Sequence, residues 1–236
     1  MTTISANLQA VRARIDAAAD KYQRSRDAIR LLAVSKTWPL AYVRAAAAAG
    51  QKAFGENYVQ EGVEKVAAMA ALAGSELEWH FIGPLQSNKS RRVAEMFDWV
   101  HSIDRLKIAE RLSEQRPVDR PALQVCLQVK VSGEATKSGV ALASVPDLAQ
   151  RVAALPRLQL RGLMAIPAPT DDFAQQRRAF RIVRETYERL QANGLQLDTL
   201  SIGMSDDLEA AIAEGATLVR VGTAIFGERI LERSKA

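Results

Sequence analysis

Thr199-Leu200-Ser201-Ile202, then Gly203-Met204-Ser205-Asp206, a helical pattern over Asp207 to Glu214, and Thr217-Leu218-Val219-Arg220-Val221 follow one another near the end of the 236-residue chain. Each apolar run has the length of a strand. A strand that reaches the next one through a helix lies parallel to it, because a tight turn can only reverse the chain. The same unit recurs upstream. Strand-length runs occur at Ile29 to Ser35, Lys52 to Glu56, Glu78 to Ile82, Trp99 to Ile103, Leu123 to Val131 and Leu160 to Ile166. Between them lie helical patterns at Leu40 to Ala49, Val59 to Leu72, Ser87 to Met96, Arg105 to Glu114, Val145 to Leu155 and Asp171 to Ala192. An amphipathic helix comes first, with Ile4, Leu8, Val11, Ile15, Ala18 and Tyr22 spaced by four and three.

Eight such units in a chain of this length fit a closed (β/α)8 barrel, an α/β fold of the TIM type, better than an open sheet. No linker rich in Gly, Ser or Pro divides the chain, so residues 1–236 are expected to form a single domain. Residues 1–28 supply the N-terminal helix. Only Gly227 to Ala236 follow the last run, too short for a full closing helix, so the N-terminal helix is expected to cover that side of the barrel.

Composition narrows the function classes. With 48% hydrophobic residues and no apolar stretch near the ~18 that a membrane span needs, the chain reads as a globular protein without a membrane partner. Its start, Met-Thr-Thr-Ile-Ser, has neither the basic nor the apolar part of a signal peptide, so a cytoplasmic location is expected. Lys and Arg number 32 against 27 Asp and Glu, but Arg177, Arg178, Arg181 and Arg184 alternate with Glu185 and Glu188 as on a solvated helix face. Nucleic acid is therefore not an expected partner. The two histidines, His80 and His101, and the single cysteine, Cys126, show no structural-zinc spacing. Cys126 sits in an apolar run, where a buried inert thiol is expected.

Barrels carry their chemistry at the carboxyl ends of the strands. Lys36 directly follows Leu31-Leu32-Ala33-Val34-Ser35. It is either an amine partly desolvated for attack on a carbonyl or a lysine snorkelling out of the loop that starts Thr37-Trp38-Pro39. The seventh and eighth runs end in Gly203 and Gly222, whose bare backbones let N–H groups come close to a ligand where barrels commonly hold a phosphate. Asp206 and Asp207 would repel a phosphate, so the cradle relies on the N–H groups of Gly203, Met204 and Ser205. Ser205 or Asp206 is also placed to cap the following helix, with Glu209 completing a capping box. Arg220 shares a strand face with Leu218 and Gly222, so it points into the barrel if Gly222 lines the mouth, and an inward arginine needs an anion or another acceptor. An amine, a phosphate cradle and an arginine between them match the needs of pyridoxal 5′-phosphate (PLP).

The motifs Leu32-Ala33-Val34-Ser35-Lys36-Thr37, Phe54-Gly55-Glu56-Asn57-Tyr58, Trp79-His80-Phe81-Ile82-Gly83-Pro84-Leu85-Gln86-Ser87-Asn88-Lys89, Arg161-Gly162-Leu163-Met164-Ala165-Ile166-Pro167, Gly203-Met204-Ser205-Asp206-Asp207 and Val221-Gly222-Thr223-Ala224-Ile225-Phe226-Gly227 resemble the YggS/PROSC family of PLP homeostasis proteins. The fold implied is similar to the N-terminal barrel of alanine racemase, the type III fold of PLP proteins. The resemblance implies that Lys36 holds PLP as a Schiff base, that Ser201, Gly203, Met204, Ser205, Gly222 and Thr223 belong to the phosphate-holding segments, and that Arg220 faces the pyridine nitrogen. Asn57, His80 and Met164 match lining positions at the mouth. Trp38 and the stretch Val131 to Thr136 depart from the commoner family wording, and Lys137 is the other lysine placed to reach a ligand aldehyde.

Two functions follow from different classes. The first is a non-catalytic PLP-binding protein of PLP homeostasis, expected to be a monomer and to have PLP-dependent apo-enzymes among its partners. The alternative is an amino-acid racemase of the alanine racemase type, which needs a further domain and a second acid/base residue, usually a tyrosine. Of Tyr22, Tyr42, Tyr58 and Tyr187, only Tyr58 lies near a strand end.

Overall fold

A computed structural model describes residues 3–71, 76–131 and 138–228. Eight parallel strands close into a barrel in sequence order: β1 (Arg30–Val34), β2 (Ala53–Glu56), β3 (Glu78–Phe81), β4 (Trp99–Ile103), β5 (Leu123–Gln128), β6 (Leu158–Met164), β7 (Thr199–Ser201) and β8 (Leu218–Val221). Closure is made by β1 against β8, with Leu32 level with Arg220 and Ala33 with Val221. The strands end earlier than their apolar runs. β5 stops at Gln128, although Val129 bridges to Val140, and β6 spans Leu158–Met164 where Leu160 to Ile166 is expected. The apolar residues beyond the last ladder bonds are mouth residues, and hydrophobicity does not distinguish them from the strand.

The helices are α1 (Ile4–Lys21), α2 (Leu40–Ala48), α3 (Val59–Ala70), α4 (Ser90–Met96), α5 (Leu106–Gln115), α6 (Val145–Ala153), α7 (Phe173–Ala192), α8 (Leu208–Ala213) and the single turn α9 (Thr223–Phe226). Thr3 starts α1 by accepting from the Ala6 amide, and Asp172 starts α7 by accepting from the Ala174 and Gln175 amides. With so short an α9, α1 lays Leu8, Val11, Ile15, Ala18 and Ala19 against α2, α8 and α9. No helix among the described residues is long and apolar enough to cross a membrane.

Strand alternation divides the interior into two layers. Ala33, Phe54, Phe81, Val100, Val125, Leu163, Leu200 and Val219 face outward and form one continuous core with the helices. Facing inward are two small apolar groups, Leu32, Val34, Ala53, Ile82 and Leu218 on one side and Trp99, Cys126 and Met164 on the other. Cys126 is fully buried, and burial pushes its thiol pKa up, so it is the inert thiol expected.

Two local features correct the expectations. The arginine face of α7 is not simply solvated: Arg177, Arg181 and Arg184 converge on the fully buried Glu214 carboxylate at 2.7, 3.1 and 3.2 Å. Burial alone would raise the Glu214 pKa, but the three guanidinium groups hold it below the usual carboxylate range. The capping box at α8 does not form either. Asp207 is the N-cap residue and makes no side-chain cap bond, while Glu209 turns to Lys21 (2.7 Å) and Tyr22 (3.0 Å) of α1.

Gly162 marks how closely the strands pass one another. It has φ +159°, and a Cβ there would lie 1.7 Å from the Thr199 carbonyl oxygen on β7. Because that obstacle is backbone, neither rotamer change nor local repacking relieves it. Gly162→Ala is expected to lower stability by about 3 kcal/mol or more, read as a fall in denaturation midpoint, and a midpoint equal to that of the parent would refute this account of the β6–β7 contact.

Candidate functional site

A cavity of about 680 Å³ opens at the carboxyl end of the barrel. β1 ends in it through Val34, followed by Lys36 and Trp38; Asn57 follows β2 and Ile82 follows β3. Ile166 and Asp171 come from the segment after β6, Met204, Ser205 and Asp206 from the loop after β7, and Arg220, Gly222, Thr223 and Ala224 from β8 and the start of α9. Arg14 of α1 completes the wall and donates to the Ser205 carbonyl at 2.8 Å.

The segment carrying Lys36 is held from behind. Lys65 of α3 is buried and donates from Nζ to the Ser35 carbonyl (2.7 Å), to Glu56 Oε1 (2.9 Å) and to Glu61 Oε1 (2.6 Å). Glu56 Oε1 also accepts from Ser35 Oγ at 2.6 Å, and Glu61 Oε1 accepts from the Thr37 amide at 2.5 Å. Burial pushes the Glu56 pKa up against the opposing pull of Lys65, so this carboxylate depends on its cation to stay ionised. Thr37 takes φ +66°, an uncommon conformation for a residue with a branched Cβ, and the Glu61 bond to its amide secures that bend directly after Lys36.

Arg220 points inward, as its shared face with Leu218 and Gly222 requires. It is 3% exposed, and Nη1 donates to the Ser201 carbonyl (2.5 Å) and Ser201 Oγ (2.8 Å), while Nη2 donates to the Ala165 carbonyl (2.9 Å). Burial lowers its pKa to about 10, which leaves it cationic at neutral pH. Asn57 lines the same cavity with its Oδ1 buried and without a hydrogen-bond partner. A buried amide oxygen left open in this way is a vacant acceptor for a ligand hydroxyl or N–H. Gly83 makes the position possible, since a Cβ there would come within 2.2 Å of the Asn57 carbonyl oxygen.

Seven of the residues singled out from sequence line this cavity: Lys36, Asn57, Met204, Ser205, Arg220, Gly222 and Thr223. Three do not. Ser201 is fully buried beneath the mouth, where it serves as acceptor for Arg220. Met164 is fully buried against Trp99 and Cys126. Gly203, at φ +93°, turns the chain where a Cβ would lie 2.5 Å from Ala211 Cβ, so its role is the close packing of the loop on α8. Met204 lines the cavity, but its amide donates to Asp207 Oδ1 at 2.5 Å and is not one of the free N–H groups expected of the loop. His80 lies in the interior and does not line the mouth. Lys137 and the stretch Ser132 to Thr136 lie outside the described residues. Sequence reasoning passed over Arg14, Asp171 and Ile166. Arg14 sits on the polar face of an amphipathic helix, where a wall residue and a solvated one look alike.

Comparisons with known proteins bear on the fold and the family. The family model for the N-terminal domain of alanine racemase matches residues 6–230. The pyridoxal phosphate homeostasis protein of Pseudomonas aeruginosa is 60% identical over 229 residues, which cover 97% of this chain and 97% of that protein. The structure of PipY from Synechococcus elongatus with PLP bound superposes with a TM-score of 0.83 at 38% identity, covering 95% of this chain and 100% of that one. Alanine racemase from Corynebacterium glutamicum, at 20% identity and a TM-score of 0.68, covers 91% of this chain and 62% of its own, a likeness of fold alone. A closed eight-stranded barrel, a lysine at the end of its first strand and near-full-length identity to these relatives place the chain in the alanine racemase N-terminal domain family, among its pyridoxal phosphate homeostasis proteins.

Proposed function

We propose that this protein binds PLP in the mouth cavity and serves PLP homeostasis as a single-domain carrier without turnover of its own. The observation that carries the reading is the convergence of Lys36, Arg220 and the unpartnered Asn57 Oδ1 on one cavity floored by Gly222. When bound, PLP supplies an aldehyde that an amine can capture and a ring that draws electrons. Lys36 would be the anchor for the aldehyde. Asn57 Oδ1 would accept from the ring hydroxyl. Gly222 and Thr223, with Ser205, would hold the phosphate, and Gly222 lets this segment pack close to the end of β1, since a Cβ there would lie 3.1 Å from the Val34 carbonyl oxygen.

Arg220 would face the ring nitrogen. A guanidinium is a donor only, with a pKa that burial leaves near 10, so it gives a ring nitrogen a hydrogen bond without giving it a proton. That weakens the ring as an electron sink and argues against amino-acid chemistry. The tyrosines argue the same way. Tyr22 donates to Glu209, Tyr42 packs on Trp38 with ring centroids 4.9 Å apart, Tyr187 donates to the Leu197 carbonyl, and neither these nor Tyr58 lines the cavity. A racemase needs an acid/base group on the face opposite its lysine. An open mouth suits exchange of the cofactor with other amines and with PLP-dependent apo-enzymes, the partners this reading implies, and the carrier is proposed to act as a monomer.

Lys36→Ala is expected to abolish covalent attachment while leaving the fold and some reversible binding intact, because the phosphate contacts do not involve the amine. Borohydride reduction followed by peptide mass analysis checks this; label remaining on the variant, or found on Lys137 of the parent chain, would move the anchor. Arg220→Gln is expected to weaken PLP binding by about 1 to 3 kcal/mol, measured by fluorescence titration. Unchanged affinity, or a ligand-bound structure with the guanidinium on the phosphate, would sink the ring-nitrogen assignment. For the carrier reading, the PLP-loaded protein is expected to leave alanine and serine unexchanged at the α-carbon in deuterated water while passing PLP to an apo-enzyme. Exchange or inversion at an enzymatic rate near ~10 per second would establish the racemase instead.

A further inference from the structure

The barrel interior holds a row of polar groups that the contacts proposed for PLP leave unused. Glu78 Oε1 lies 2.6 Å from His80 Nε2, His80 Nδ1 lies 2.8 Å from His101 Nε2, and His101 Nδ1 lies 2.9 Å from Ser201 Oγ. Ser201 Oγ is in turn 2.8 Å from Arg220 Nη1. His80, His101 and Ser201 are fully buried, so each short contact has to pair one donor with one acceptor.

The two ends decide which way the protons point. A guanidinium only donates, and an ionised carboxylate only accepts. Glu78 therefore requires a proton on His80 Nε2. A neutral His80 then offers the Nδ1 lone pair, which requires a proton on His101 Nε2. A neutral His101 offers its own Nδ1, to which the Ser201 hydroxyl donates, and the Ser201 oxygen is left to accept from Arg220. Running the chain backward with neutral rings would set the bare Nε2 of His80 against the Glu78 carboxylate at 2.6 Å, two lone pairs facing each other.

The surroundings keep both rings uncharged. Burial lowers the pKa of His80 against the pull of Glu78, and burial together with the Arg220 guanidinium lowers that of His101 well below the usual histidine value. Burial opposes ionisation of Glu78, but the His80 hydrogen bond and Arg30 hold its pKa below the usual carboxylate range. His80 also stacks on Trp99 with ring centroids 5.2 Å apart, which fixes the plane in which its two nitrogens point.

We propose that Glu78, His80, His101 and Ser201 form a one-way hydrogen-bond chain that holds both histidines as neutral Nε2–H tautomers and positions the Arg220 guanidinium at the floor of the cavity. Arg220 lines the cavity and the other four do not, so they are positioning residues. The effect on cofactor binding rests on the PLP reading above; the chain itself does not.

Long-range 15N–1H spectra of the ligand-free protein test the direction, because His80 and His101 are its only two histidines. Both rings are expected to be neutral with the proton on Nε2 at pH 7. An Nδ1–H tautomer or an imidazolium on either ring would overturn the chain. His101→Phe keeps the ring and breaks two links; it is expected to weaken PLP binding about tenfold and to shift the absorption maximum of the bound cofactor, with covalent attachment at Lys36 retained. A folded His101→Phe protein with parental affinity and spectrum would overturn the positioning role. If that variant does not fold, Glu78→Leu, at the partly exposed end, gives the second reading: release of the His80 Nε2–H is expected to change the tautomers, and unchanged tautomers would refute the carboxylate as the group that sets direction. Failure of the parent protein to bind PLP would overturn the cofactor reading alone, since the tautomers are read without ligand.

Discussion

A guanidinium buried at the top of a closed barrel has to be satisfied by protein acceptors, and much of the interior is arranged around that requirement. Arg220 is brought inward by the period of β8, and the carbonyls of Ser201 and Ala165 meet it because β6 and β7 end at the same height. Leaving such a group unpaired would cost several kcal/mol, far more than one hydrogen bond contributes. The Ser201 hydroxyl, drawn to Arg220, then needs an acceptor for its own proton, and His101 supplies it. One inward cation thus explains why polar residues occupy the centre of a barrel whose inward apolar residues are Leu, Val, Ala, Ile, Trp, Cys and Met.

A second buried charge works on the neighbouring strands by the same logic. Lys65 reaches under the end of β1 to the Ser35 carbonyl and binds Glu56 and Glu61, and Glu61 holds the amide of the bent Thr37. The residue between these two anchored peptides is Lys36. An amine that must meet an aldehyde in a fixed place gains from a backbone fixed on both sides, because the only freedom left is in its own side chain. The site therefore has a constrained floor and lysine segment, while its outer wall carries exposed residues such as Met204 and Ile166. That division suits a protein that holds a small molecule and gives it up again.

The N-terminal helix joins the fold to the site. α1 covers the side where α9 is a single turn, and its Arg14 reaches the Ser205 carbonyl in the loop after β7. Lys21 and Tyr22, near the other end of the helix, hold Glu209 of α8. The loop after β7 and the helix that follows it are thereby each tied to α1, so the helix that closes the barrel also fixes one wall of the cavity.

The alternation of apolar runs and helical patterns determined the barrel, since parallel strands joined by helices have few ways to bury both faces, and the strand-end rule led from it to Lys36, Gly222 and the inward face of Arg220. Those inferences are local: they need only the period of a strand and the point where it stops. Tertiary structure decided what height along the barrel axis each inward residue occupies. Ser201 and Met164 have the right period for the mouth and lie below it, the Met204 amide turns to Asp207, and His80 meets His101 across neighbouring strands. Arginines that read as solvated on α7 surround Glu214 of the segment after α8. Periodicity fixes the direction of a side chain. Its depth comes from strand register and tilt, and its partners come from whichever chain segment the closed barrel brings opposite, neither of which is written in the spacing along one strand.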